Sequence, residues 1–267
     1  MMRYTFFSEI CRNMYCTPRR FLQVAIILCV LLVALVSISG TGETVHAQGG
    51  YCSTSSCPDN LCNAVGQISE SQTHLRGIEA EIEVADPQIR DGQWSLMRVL
   101  VRQVCSHPSG RCFAEIGWEK NPCFTTLGCS WYGSWKRQTR HVALRRNPYD
   151  QTTWHWDIAN TSPGWRHTYT LQLDTGNLGW EYYIGDGLVA HLWTGFAVPD
   201  YGMGGGEVPS PPNNAMGVSG FQYVRYMDAS RNWHNVNDQY ILWSNLPSVY
   251  NAVRIGPNAW QVYGCNN

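Results

Sequence analysis

The chain has 267 residues and a formal charge of −1, from 19 Lys+Arg against 20 Asp+Glu, so no basic stripe is present to displace phosphate counterions and a nucleic-acid binder is excluded. Charged residues make up 15% and aromatics 12%, with 12 Trp, 14 Tyr and 25 Gly, a profile that excludes disorder, coiled coil and collagen. Eleven Cys point to an oxidising compartment outside the cell.

In chain order, the first predicted element is a leader over residues 1–47. Arg19 and Arg20 precede an uncharged apolar run from Phe21 to Ile38. Val45 and Ala47 then stand at the −3 and −1 positions that a signal peptidase reads, which predicts a mature N-terminus at Gln48 and secretion. The run also has the ~18 residues of an uncleaved anchor, and in either case the remainder lies outside the membrane. Cys11, Cys16 and Cys29 leave with the leader, and the even remainder of eight reads as disulfides. A Cys- and Ser-rich segment, residues 48–73, precedes a single domain at 74–267.

The body of the chain reads as strands. Ile78, Ala80, Ile82 and Val84 alternate with Glu79, Glu81 and Glu83, the period-2 pattern of a strand with one apolar face. Similar runs cover Trp94–Val104, Phe113–Trp118, Thr168–Leu173, Trp180–Ile184, Phe221–Met227 and Gln239–Trp243. Turn signals separate them, among them Asp91-Gly92, Asn147-Pro148, Ser162-Pro163-Gly164 and Gly185-Asp186-Gly187. No stretch carries helical periodicity, so the expected fold is an all-β, two-sheet antiparallel sandwich of the jelly-roll kind, stapled by disulfides. Cys105 and Cys112 flank a turn-forming hexapeptide between two strands and are predicted to pair, as are Cys123 and Cys129 around a second short loop. Cys52, Cys57, Cys62 and Cys265 allow three connectivities. The Gly- and Pro-rich piece from Gly202 to Pro212 reads as a loop.

Most chemical motifs dissolve on inspection. Gly202 to Gly206 lacks the helix and Lys of a phosphate loop. Gly217-Val218-Ser219-Gly220 is no nucleophile elbow, and Trp154-His155-Trp156 reads as a packed aromatic strand. Neither His nor Cys shows metal-ligand spacing, so no metal and no cofactor are expected. Glu79, Glu81 and Glu83 read as a solvated outer face. Glu115 differs, lying in Phe113-Ala114-Glu115-Ile116-Gly117-Trp118 on a strand apolar on both sides, where a carboxylate must be paired or protonated. Glu207 follows three glycines that permit close approach and present it rather than pack it.

Taken together, Gly205-Gly206-Glu207-Val208, then Met216-Gly217, Ser219-Gly220-Phe221 and a strand reaching Asp228 resemble the C-terminal signature of the neprosin family of glutamic peptidases. Upstream, Glu115-Ile116-Gly117-Trp118 is similar to that family's Glu-x-Gly-Trp strand. Tyr169-Thr170-Leu171-Gln172-Leu173 and Trp180-Glu181-Tyr182-Tyr183-Ile184-Gly185 follow its intervening strands in order. The resemblance spans residues 75–265 and implies a β-sandwich peptidase that cleaves after Pro at acidic pH, with Glu115 and Glu207 as its catalytic pair. It implies no metal and no acyl-enzyme.

Two facing carboxyls in a desolvated groove share one proton. One activates water while the other protonates the carbonyl oxygen or the leaving nitrogen. Trp118, Gly205 and Gly206 are the candidate substrate-binding residues. The expected partner is a peptide or protein substrate and the expected state a monomer. The alternatives are a carbohydrate- or protein-binding sandwich without catalysis, whose aromatics stack on sugar rings, and a jelly-roll glycoside hydrolase.

Overall fold

In a computed structural model, the residues described are 57, 61–69, 75–87, 89, 94–106, 109–120, 139–149, 153–176, 179–209 and 215–264. The leader, its cleavage site, Cys52, Cys265 and the expected Cys123–Cys129 pair lie outside them.

The described chain is all-β, with two antiparallel sheets and no helix among the described residues. The first sheet runs in the order β13 (Ile241–Ser244), β1 (Leu61–Ser69), β10 (Tyr201–Pro209), β3 (Ser95–Val104), β4 (Arg111–Lys120), β5 (Thr139–Arg146) and β6 (Trp154–Thr161). The second runs β14 (Tyr250–Gly256), β15 (Ala259–Gly264), β11 (Ser219–Met227), β2 (Gly77–Glu83), β7 (Arg166–Leu173), β8 (Gly179–Ile184) and β9 (Gly187–Trp193), with β12 (Trp233–Asn235) paired to β11.

The core lies between the sheets, where one face of each strand meets the other sheet. Ile78, Ala80 and Ile82 of β2 are fully buried, as their alternation predicts. Trp118, Trp180 and Trp260 are also fully buried. Each indole N–H donates to a backbone carbonyl, at Glu83 (3.0 Å), Phe196 (3.2 Å) and Gly204 (3.1 Å) respectively, which meets the requirement that a buried Trp keep its hydrogen bond.

Two sequence expectations are corrected here. Gly202 to Gly206 form the middle of strand β10, between β1 and β3, and are not a loop. Glycine serves there because the facing sheet presses large side chains onto the backbone. A Cβ at Gly204 would stand 3.0 Å from both Phe221 and Trp260, and one at Gly66 of β1 would stand 2.6 Å from the Trp260 ring. Strand β1 itself pairs with both β10 and β13, so the sandwich includes Leu61–Ser69, which lies upstream of the boundary expected near residue 74.

Cys105–Cys112 is bonded, with Cα atoms 5.8 Å apart. Cys57–Cys62 is also bonded, one of the pairings that the sequence leaves open, and ties the chain before β1 into that strand. The Trp154-His155-Trp156 strand is not packed as expected. It is the last strand of the first sheet, and both Trp rings are exposed.

Candidate active site

Three neighbouring strands of the first sheet build the site. Along β4, Phe113, Glu115, Gly117 and Glu119 share one face, while Ala114, Ile116 and Trp118 enter the core. On the same side of the sheet, β3 contributes Leu96, Arg98 and Leu100, and β10 contributes Gly205 and Glu207. Arg98 lies opposite Gly205 on one side and Gly117 on the other. No neighbouring side chain stands directly beside it, and the guanidinium reaches diagonally to a carboxylate on each flanking strand.

Arg98 Nε lies 2.7 Å from Glu115 Oε2, and Arg98 Nη2 donates to Glu207 Oε2 at 2.6 Å. The two candidate carboxyls, 92 positions apart in sequence, are thus held on adjacent nitrogens of one planar group. Asn63 of β1 flanks Glu207 in register, and its Oδ1 lies 3.5 Å from Arg98 Nη2. Asn245 fixes that position by bonding the backbone at Asn63 and Leu61.

The setting is desolvated. Arg98 and Glu115 are each 5% exposed; Glu207 is the more open carboxyl, its side chain 15% exposed. Burial pushes the Glu115 carboxyl up to about 7, against the pull of Arg98 and with the charges of Glu207 and Glu119 adding to the rise. Burial works against the charge on Arg98, but Glu115 and Glu207 outweigh it and raise its affinity for the proton.

A second pair lies beside the first. Glu119 is completely buried, and its Oε2 lies 3.2 Å from His155 Nε2 on β6. Burial raises the Glu119 carboxyl. It also opposes charge on His155, but the bond to Glu119 prevails and lifts the imidazole above its ordinary value. Asp157 and Arg140 extend the chain of charges at the sheet's edge.

Of the candidates read from sequence, the structure brings Glu115 and Glu207 together. Trp118 is corrected: it points into the core, on the other face of β4, and cannot wall a groove. Gly206 is corrected likewise, since a Cβ there would meet Met216 and Met97 inside the sandwich. Gly205 lies on the Glu face, but a Cβ there would stand 2.4 Å from Ala64 O, so its role is close strand packing. Glu79, Glu81 and Glu83 lie on the outer face of the second sheet, beside Arg225 and Arg166. Ser219 is buried and bonds the Glu83 carbonyl.

Arg98, Glu119 and His155 were missed. An arginine inside Leu96-Met97-Arg98-Val99-Leu100 is as anomalous as Glu115 in its strand, and period 2 carries Glu115 directly to Glu119 once β4 is drawn to Lys120.

No protein-family model matches the chain, and no curated protein does either. Solved structures do share its fold. Scytalido-glutamic peptidase with a transition state analog inhibitor superposes with a TM-score of 0.53 at 8% identity, covering 77% of this chain and 98% of that one. The same peptidase with a peptide-based analog gives 0.48 at 11% identity, covering 78% and 99%. A glycoside hydrolase family 16 endo-glucanase from Bacteroides ovatus gives 0.34 at 14% identity, covering 62% and 72%. At these identities the likeness is one of fold: this chain has the two-sheet architecture seen in scytalido-glutamic peptidase.

Proposed function

We propose that this protein is a secreted glutamic endopeptidase of neprosin type, working at acidic pH through Glu115 and Glu207. The observation that carries the reading is the convergence of these two carboxyls on Arg98, in a buried setting where Glu115 holds its proton up to about pH 7. The sequence motifs around both residues and a fold on which a glutamic peptidase is built support it.

Below about pH 7 Glu115 is neutral and can act as the acid, and the more open Glu207, beside Arg98, is the base. Glu207 takes a proton from a water molecule whose oxygen attacks the carbonyl carbon of the scissile bond. Glu115 donates its proton to the carbonyl oxygen, and Arg98 offsets charge without leaving its place. Collapse of the tetrahedral intermediate returns the oxygen's proton to Glu115. The proton on Glu207 passes to the leaving nitrogen, and both groups end as they began.

Digestion of a peptide library across pH 3–8 tests this. Cleavage is expected on the acid side, fading as Glu115 ionises, with Pro enriched before the cut. Glu115→Gln and Glu207→Gln should each lower turnover by about 10²–10⁴-fold while the fold persists, and a chelator should change nothing. Full activity in either variant, or hydrolysis of a β-glucan in place of peptides, would overturn the assignment.

A further inference from the structure

Glu119 has no part in the proton transfers above, yet it is buried more completely than either member of the dyad. It stands on the dyad's face of β4, four residues beyond Glu115, with the side-chain-free Gly117 between them. One oxygen, Oε2, is engaged by His155. The other, Oε1, is buried and has no hydrogen-bond partner among the described residues. A buried carboxylate oxygen is normally satisfied, and leaving one without a donor costs free energy.

A matching vacancy lies one strand away. Arg98 Nη1 is a buried donor that also lacks a partner among the described residues. Its strand runs beside β4, with Arg98 opposite Gly117 and Leu96 opposite Glu119. One unfilled acceptor and one unfilled donor on adjacent strands are the complement of an extended peptide, whose backbone offers an N–H and a C=O in turn. Glu115, 5% exposed, and Glu119, completely buried, are both reached only when what covers them is displaced.

We infer that Glu119 is a substrate-binding residue: its Oε1 accepts a hydrogen bond from a backbone N–H of the bound peptide, while His155 holds the carboxylate through Oε2. The inference rests on the peptidase reading above and adds to it a residue that fixes the substrate's register.

The test pairs changes in substrate and enzyme. Each backbone amide flanking the scissile bond of a cleaved peptide is replaced in turn by an ester, which removes one N–H and keeps the carbonyl. In wild type, one ester position should lower kcat/KM at least tenfold. In Glu119→Gln the His155 N–H keeps the amide oxygen, so an NH2 group stands where Oε1 was and faces the substrate's N–H. At that position the ester and amide substrates should then differ by less than twofold. Each ratio is taken within one variant, so a change in the amount of folded enzyme cancels. Glu119→Met, which removes the acceptor with little change of volume, should give the same loss of discrimination if the Gln protein does not fold. An ester penalty equal in wild type and variants, or no costly ester position in wild type, overturns the inference and leaves the dyad standing. Failure of wild type to cleave the parent peptide removes the peptidase reading itself.

Discussion

Arg98 stands opposite glycine on both flanking strands, and among the described residues its counter-ions within bonding distance are the Glu115 and Glu207 carboxyls. Truncating one member of a buried ionic group leaves the others uncompensated, typically at about 3–5 kcal/mol. Arg98→Met is therefore expected to lower unfolding free energy by about that amount in urea titrations. It should also move the Glu115 titration upward from about 7, because the guanidinium is the main group holding it down. Glu207→Gln should move the same titration downward, since it removes a negative charge that favours the protonated form. Carbon-13 NMR of labelled Glu side chains reads both, and equal titrations in the two variants would refute this electrostatic account. The sequence made half of this site legible. A carboxylate in a strand apolar on both faces had to be paired, and its cation Arg98 stands on the partner strand of the same hairpin. That Glu207 shares this cation depends on the pairing of β3 with β10, a strand about a hundred residues further on that no local turn brings in.

At the scale of the element, β4 is pinned where its bridge to Cys105 closes the hairpin with β3, three residues before Glu115. Chain entropy for so short a closed loop gives about 2.5 kcal/mol. Replacing both Cys105 and Cys112 by Ser should lower stability by roughly that amount and shift Tm down by about 5–10 °C. Activity should fall at temperatures well below the new midpoint if the bridge also steadies Glu115; an unchanged midpoint refutes the stabilising role. Most strands were legible because their faces differ. The alternation of Ile78, Ala80 and Ile82 with glutamates names its own register, and the hairpin at Cys105–Cys112 follows from its turn. The glycine strand β10 was not legible, since glycine carries no face, and its pairing is dictated by Phe221 and Trp260 of the other sheet and by Met216, just before β11, pressing on it. That dependence is measurable in β1. Gly66→Ala, whose new methyl would enter the Trp260 ring, should cost about 1–3 kcal/mol by overpacking. The double variant with Trp260→Phe should recover part of that loss, and a neutral Gly66→Ala in urea titration would sink the packing explanation.

For the molecule as a whole, two buried groups on β4 and β5 impose opposite pH dependences. His141 is 6% exposed, bonds the Tyr169 hydroxyl of the other sheet at 2.7 Å and meets the His167 ring edge-on at 4.6 Å. Burial, with the nearby charge of His167 in support, pulls its pKa down to about 4. Facing it are His167 and Tyr169 from β7, with no carboxylate of the described residues in bonding contact. The unfolded chain takes up this proton near 6.5 and the folded chain only near 4, so folding stability is full above 6.5 and declines as pH falls through that window. Glu115 behaves in the opposite sense. Its folded pKa of about 7 exceeds the ordinary carboxylate value, so stability declines as pH rises from about 4.5 to 7. The two contributions offset each other between about 4.5 and 6.5, where their sum is flat, and stability falls off on either side. Below about 4.5 only the His141 contribution still changes, so it governs the fall in stability on the acid side. His141→Gln keeps a polar partner for Tyr169 but does not titrate. In wild type the two contributions offset, so Tm changes little between about 4.5 and 6.5. In the variant the Glu115 contribution stands alone, so Tm should rise as pH falls through that window, with a gain on the order of 1–3 kcal/mol over wild type at pH 4. Thermal melts of both proteins across that range decide the matter: a variant Tm that stays parallel to the wild-type curve from pH 6.5 to 4 would refute the role given to His141.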